Sequence, residues 1–288
     1  MKIQCIWYFC RKEMEMVVFP NAKINLGLRI TGKRPDDYHN IETIFYPVDL
    51  HDALEIVCAG DDVKQDMLKA TGIRIDGKPE DNLVIKSVRK FRELYSFPFL
   101  RLHLHKAIPS GAGLGGGSSD AACILKIINR CFRFSLSLEE LKVIALGLGS
   151  DCPFFIDYTP SFATGRGEIL QPVASVLSGL YIVLVNPGIS ISTREAYENC
   201  IPGDPEESLF HLIDLPITMW KKMIINDFEK FVFMKYPEVG LIKQNLYSAG
   251  ALYSSMSGSG SSVYGIFQDK PEIPDSLKKN VIFEGVLR

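Results

Sequence analysis

The feature that most constrains this chain is a glycine-rich run set between a strand and a helix. Leu100 to His105 alternates strictly, with Leu100, Leu102 and Leu104 set against Arg101, His103 and His105, which predicts a half-buried strand. Ile108-Pro109-Ser110-Gly111-Ala112-Gly113-Leu114-Gly115-Gly116-Gly117-Ser118-Ser119-Asp120 follows directly, and Ala121 to Ile128 reads as a helix. That order is a geometry that binds phosphate. Glycines let the backbone approach closely, its N–H groups point inward, and the helix N-terminus adds partial positive charge. The competing reading is a flexible Gly/Ser linker, but linkers do not usually join a patterned strand directly to an amphipathic helix. The run is not a P-loop, because Gly117 stands where the lysine must be. It fits the dinucleotide fingerprint only formally, since no acidic residue follows at ~20 positions to hold a ribose. The strand-borne lysine, His-Arg-Asp and Asp-Phe-Gly set of protein kinases is absent too.

A length of 288 residues suggests two domains at roughly 150 residues each, with enough chain to bury a core. A net charge of -2 argues against a nucleic-acid coat or a membrane-surface patch. No apolar run approaches the ~18 residues needed to span a bilayer. The seven cysteines are scattered and never spaced as Cys-x-x-Cys, which fits reduced thiols and a cytoplasmic location. Ile3 to Cys10 is apolar but meets Arg11-Lys12-Glu13 with no small-residue cleavage pattern. Residues 1–15 are therefore expected to be an extension, with Met14 or Met16 as the natural start.

Along the rest of the chain, Val17 to Ile30 is predicted as a strand and 31–38 as a turn. Ile41 to Val48 and Ala53 to Val57 follow as strands. Asp81 is expected to cap a helix over 82–95, and the Ser137-x-x-Glu140 capping box to start another running through Leu148. The second half reads as a strand (Tyr181 to Val185), a helix (Thr193 to Asn199), helices between Leu209 and Phe233, and a late strand (Ser262 to Phe267). The domain boundary falls around residues 158–165.

Pro109-x-x-x-Gly113-Leu114-Gly115-Gly116-Gly117-Ser118-Ser119 closely resembles the second motif of the GHMP small-molecule kinases. Pro20-Asn21-Ala22-Lys23-Ile24-Asn25-Leu26 resembles their first motif, and Ser257-Gly258-Ser259-Gly260-Ser261-Ser262 their third. Alone, Lys23 reads as a solvated strand lysine and 257–262 as a plain turn; three such strings in the family's order read as one site. The resemblance implies an α/β, two-domain α+β fold. A ribosomal-protein-S5-like nucleotide domain would occupy 16–162, and a ferredoxin-like α+β domain 163–288. It further implies that Pro109, Ser110, Gly111, Ala112, Gly113, Leu114, Gly115, Gly116, Gly117, Ser118 and Ser119 wrap the triphosphate of ATP, with Mg2+ near Ser118.

Four segments narrow the resemblance: Lys23-x-Asn25-Leu26-x-Leu28, Arg34 to Thr43, Gly149-Ser150-Asp151-Cys152-Pro153-Phe154-Phe155, and Asn186-Pro187-Gly188 leading to Ser192-Thr193. They are similar to the family member that phosphorylates the 2-hydroxyl of a cytidine-diphosphate-linked methylerythritol in isoprenoid precursor synthesis. One departure is Asp37, where glycine is expected before the Tyr-His pair, and a side chain there resists positive φ. On this resemblance Asp151 is the candidate general base, against a plain reading as a turn or N-cap aspartate. Lys23 would orient Asp151 and offset charge on the phosphoryl group, and Asn25 would hold the substrate. Tyr38 and His39 would stack on and hydrogen-bond the cytosine, against a plain reading as a core tyrosine and a surface histidine. His103 and His105 share one strand face, but with no third ligand nearby they read as solvent-facing. The partner expected is a small molecule, with neither nucleic acid nor membrane, and the chain is expected as a monomer or weak homodimer. Two alternatives stay open: a family kinase for another alcohol such as homoserine or mevalonate, and a silent nucleotide-binding regulator. The Tyr38-His39 segment speaks against the first, and intact Lys23 and Asp151 against the second.

Overall fold

The computed structural model describes residues 15–60, 63–75 and 77–288. The expected N-terminal extension lies outside the described residues except for Glu15, which opens the first strand. In chain order the elements are β1 (Glu15–Val18), β2 (Asn21–Lys33), β3 (His39–His51), β4 (Ala53–Cys58), β5 (Met67–Gly72), α1 (Leu83–Leu94), β6 (Leu100–Lys106), α2 (Gly116–Cys131), α3 (Leu138–Leu146) and α4 (Phe154–Asp157). Then come β7 (Ser161–Thr164), β8 (Ile169–Pro172), β9 (Tyr181–Val185), α5 (Thr193–Glu198), α6 (Leu209–Leu212), α7 (Ile217–Met223), α8 (Phe228–Lys235) and α9 (Pro237–Ser248). The chain closes with β10 (Tyr253–Met256), β11 (Val263–Phe267), α10 (Asp275–Lys278) and β12 (Val281–Val286).

The chain divides into two compact units that do not follow one cut in sequence. The first takes residues through Ala22, Leu50–Ser110 and Gly116–Tyr158; the second takes Lys23–Asp49, Gly111–Gly115 and Thr159–Arg288. Residues 23–49 join the second because β3 pairs antiparallel with β7, Thr43 facing Ala163 and Phe45 facing Ser161.

In the first unit the sheet order is β1-β4-β6-β5, with β5 parallel to β6 and the other pairs antiparallel. The predicted alternation of β6 holds, Leu100, Leu102 and Leu104 being buried, and it continues inward to Lys106. The alternation leaves out β5, whose Thr71 hydroxyl lies 2.9 Å from His103 Nε2 and 3.1 Å from His105 Nδ1. His105 is exposed, whereas His103 is half-buried rather than solvent-facing. Helix α1 is capped by Asn82, whose side chain accepts from Val84 N at 2.9 Å, and not by Asp81. Asp81 already belongs to a short 3-10 turn over Pro79–Asp81, so the extended backbone that a cap needs occurs one residue later. The capping box at Ser137 is present, and α3 ends at Leu146. Helix α2 begins at Gly116, inside the glycine run and five residues before the expected start.

In the second unit one sheet runs β2-β3-β7-β8 and another runs β10-β11-β9-β12. The expected strand over 17–30 is two strands, broken at Phe19-Pro20, and β2 continues to Lys33 so that the turn begins at Arg34. The core of this unit gathers Leu28 and Ile30 from β2, Val183 and Val185 from β9, Phe228 and Val232 from α8, and Ile242 and Leu246 from α9. No helix among the described residues is long and apolar enough to cross a membrane.

Candidate active site

In the second unit β2 carries Lys23 and Asn25, which are 3% and 2% exposed. A buried lysine needs acceptors. Lys23 Nζ donates to Asn25 Oδ1 at 2.6 Å and sits 4.9 Å from the Phe45 ring centre. Asn25 Nδ2 donates to Thr43 Oγ1 at 2.9 Å, and Thr43 in turn donates to Gly27 O at 2.6 Å. The backbone of Lys23 donates to Leu114 O at 3.0 Å, tying β2 to the glycine run. The turn after β10 joins the same arrangement. Ser257 Oγ accepts from Asn25 N at 3.2 Å and donates to Gly113 O at 2.8 Å, while Ser262 N donates to Ala112 O at 3.3 Å. Gly113 has φ +78°, and a Cβ there would stand 1.8 Å from Ser257 O, so only glycine allows the two turns this approach.

The same unit builds an aromatic cluster from the turn before β3. Arg34 pairs with Asp36, whose Oδ1 also accepts from Tyr38 N at 3.3 Å. Asp37 takes φ +63°, so the turn keeps a left-handed residue there although glycine is missing. Tyr38 is 53% exposed, and the Arg166 guanidinium lies 4.6 Å from its ring centre. His39 stacks on Tyr197 of α5, centroids 4.9 Å apart and planes within 17°. Burial, with help from the Lys33 charge, lowers the His39 pKa below its ordinary 6.5, which favours the neutral ring at pH 7.

The first unit carries the remaining candidates. Ser118 and Ser119 lie in the first turn of α2. Ser118 hydrogen-bonds the Cys152 thiol, which burial and the nearby Asp151 charge push up to about 12. Asp151 is not the cap of α4, since Pro153 holds that position. Where β6 meets the glycine run, Lys106 donates to Asp52 and to Asp120 Oδ2, the latter at 2.8 Å, and all three residues are buried. Asp52 Oδ1 accepts from Ala107 N at 2.6 Å and Ile108 N at 2.9 Å, whereas Asp120 Oδ1 has no partner. A cavity of about 260 Å³ opens here, lined by Leu68, Asn82, Lys106, Ser110, Gly117 and Asp120 among others.

Residues 82–157 match the family described as GHMP kinases N terminal domain, and 216–281 match GHMP kinases C terminal. The 4-diphosphocytidyl-2-C-methyl-D-erythritol kinase of Bacteroides thetaiotaomicron is 50% identical over 261 residues, covering 91% of this chain and 95% of that protein. The chain belongs to the GHMP kinases. The protein of that name from Porphyromonas gingivalis is 46% identical, covering 90% and 94%. A crystal structure of 4-(cytidine 5'-diphospho)-2C-methyl-D-erythritol kinase superposes with a TM-score of 0.72 at 30% identity, covering 93% of each chain. The homoserine kinase of Cytophaga hutchinsonii shares the fold, with a TM-score of 0.63 at 16% identity over 92% of this chain and 88% of that one.

As a GHMP kinase the chain is an ATP-dependent phosphotransferase acting on a small molecule. Of its expected site residues, Lys23, Asn25 and Gly111 to Gly115 come together in the second unit, with Tyr38 and His39 in the same unit. Gly116 to Ser119 and Asp151 sit in the first. The amide of Asn25 is engaged by Lys23 and Thr43. Residue-by-residue reading passed over Tyr197, Arg166, Asn226 and the Asp52–Lys106–Asp120 group. Only the last had a local signal, because the alternation of β6 turns Lys106 inward, where a lysine needs acceptors. Among the described residues no group of three His, Cys, Asp or Glu side chains could cage a metal. Mg2+ in phosphoryl-transfer sites is held largely by substrate phosphates and water, and the Ser118 hydroxyl in the first turn of α2 is the side-chain oxygen that could join them.

Proposed function

We propose that this kinase transfers the γ-phosphoryl group of ATP to the 2-hydroxyl of 4-diphosphocytidyl-2-C-methyl-D-erythritol, giving the 2-phosphate and ADP. The observation that carries the chemistry is the buried Lys23 ammonium, hydrogen-bonded to Asn25 on a strand whose backbone is tied to Leu114 of the glycine run. The names of relatives at 46–50% identity support the substrate.

Phosphoryl transfer relies mainly on positioning and electrostatics. The run 109–119 cradles the triphosphate with backbone N–H groups and the α2 N-terminus. Lys23 offsets the charge that develops on the transferring group, and Asn25 fixes its ammonium. Asp151 accepts the hydroxyl proton as the new P–O bond forms and the bond to the β-phosphate oxygen breaks. Ser118 would hold Mg2+, which when bound would supply positive charge to offset that of the phosphates. Tyr38, His39 and Tyr197 offer stacking faces and a neutral imidazole for the cytosine, since an imidazole both donates and accepts. The cavity beside Lys106 and Gly117 suits the nucleoside end of ATP.

The test is coupled ADP release with ATP and Mg2+ fixed, comparing the cytidylyl substrate with homoserine, mevalonate, galactose and no acceptor. Turnover confined to the cytidylyl substrate is expected. Turnover with another alcohol would remove the cytosine site, and ATP binding without any turnover would remove the catalytic roles of Lys23 and Asp151.

A further inference from the structure

The turn that supports Lys23 is itself gripped by the segment Asn226-Asp227-Phe228-Glu229, for which the mechanism above has no role. Asn226 is 3% exposed. Its Nδ2 donates to Met256 O and to Gly258 O, both at 2.8 Å, so that one amide group holds the carbonyls on either side of Ser257. Its Oδ1 is taken by Phe228 N at 3.0 Å, which fixes the orientation of the amide. Glu229 Oε1 accepts from Met256 N at 2.9 Å and Ser255 Oγ at 3.0 Å, bracing the strand that enters the turn.

The segment also grips β2. Leu28 bridges to Asn226, Leu28 N donates to Ile225 O at 2.9 Å, Asp227 N donates to Leu28 O at 2.8 Å, and Asp227 Oδ2 accepts from Ile30 N at 2.8 Å. One short stretch therefore sets the strand bearing Lys23 and Asn25 against the turn bearing Ser257. Between those two points of attachment stands the Ser257 hydroxyl, in contact with Asn25 N, Asn25 Oδ1 at 3.4 Å and Gly113 O.

We propose that Asn226 is a positioning residue for phosphoryl transfer: by holding both carbonyls that flank Ser257 it fixes the Ser257 hydroxyl, and through it the Asn25–Lys23 pair against Gly113 of the phosphate loop. The inference rests on the reading of Lys23 as a catalytic residue. Asparagine is required because aspartate has no N–H to give and would set a buried oxygen against two carbonyl oxygens, while alanine leaves both carbonyls without their donor. A displacement of about 1 Å at a reacting group lowers rates by up to ~100-fold.

The experiment measures kcat, KM and melting temperature for Asn226→Ala, Ser257→Ala, the double variant, Lys23→Ala and Val232→Ala. The last truncates a buried side chain of the same core and serves as a stability control. Asn226→Ala is expected to lower kcat ~10–100-fold with KM for the cytidylyl substrate within ~2-fold. Adding Asn226→Ala to Ser257→Ala should lower kcat by less than ~3-fold more, because both act through one hydroxyl. Val232→Ala should lose melting temperature without loss of kcat. If Asn226→Ala does not fold, the kcat loss of Ser257→Ala alone decides, and an unchanged value overturns the proposal. Fully additive losses, or an Asn226→Ala that behaves like Val232→Ala while Lys23→Ala is inactive, overturn this inference alone. An active Lys23→Ala removes the reading beneath it.

Discussion

Replacing Asp120 by asparagine should stabilise the protein most above neutral pH and progressively less as the pH falls into mild acid. One ammonium, Lys106, faces two carboxylates, Asp52 and Asp120, and all three side chains are buried. Asp52 has two backbone donors besides, whereas Asp120 Oδ1 has none. Burial raises the Asp120 pKa from 3.8 to about 7, the Asp52 charge adding to this and Lys106 opposing it. Between those values the native state holds a proton that the unfolded chain has released, so stability falls as pH rises through that window. At ~1.4 kcal/mol per pH unit the ionised carboxylate lowers native stability by at most ~4 kcal/mol at pH 8. The Asp120→Asn amide keeps an acceptor for Lys106 and carries no charge. Urea unfolding of both proteins from pH 5 to pH 8 reads the difference directly. A gain of ~2–4 kcal/mol at pH 8, shrinking to ~1–2 kcal/mol at pH 5, is expected. A difference independent of pH, or a loss at pH 8, would refute the assignment of the shared proton to this carboxylate.

Four further outcomes are expected. Asp151→Asn should lower kcat ~100–10,000-fold with ATP binding kept, and an unchanged kcat excludes it as the base. Tyr38→Ala should raise KM for the cytidylyl substrate ~5–150-fold, the equivalent of ~1–3 kcal/mol of stacking, while sparing KM for ATP; equal losses for both place Tyr38 elsewhere. Gly113→Ala, whose Cβ meets Ser257 O, should abolish nucleotide binding by calorimetry, whereas Gly111→Ala meets nothing within 4 Å and should weaken it far less. Asp37→Gly relieves a left-handed residue and should raise the unfolding free energy by up to ~1 kcal/mol without moving KM; a clear fall would mean that the Asp37 side chain does more than fill the turn.

The chemistry of this chain is legible in short strings. The alternation of β6, the glycine run and the Ser137 capping box depend on neighbours two to four residues apart, and backbone sterics and hydrogen bonding act over that range. The same locality explains the misplacements. Nothing near Asp81 reveals the 3-10 turn that moves the cap to Asn82, and nothing within Leu100 to His105 reveals that β5 lies alongside. The sequence by itself determined the family, through the glycine run, the lysine strand, the Gly149-Ser150-Asp151 string and the Tyr38-His39 turn. Only the tertiary structure decided that Asn25 is held by Lys23 and Thr43, that Tyr197 stacks on His39, that Lys106 takes two carboxylates, and that Asn226 grips the turn of Ser257. Those partners are at least 14 residues apart, apart from Lys23 and Asn25 on one strand, and no local propensity carries information over such distances. They meet because burying polar groups demands satisfied hydrogen bonds, a condition that applies only once the strands and turns have packed.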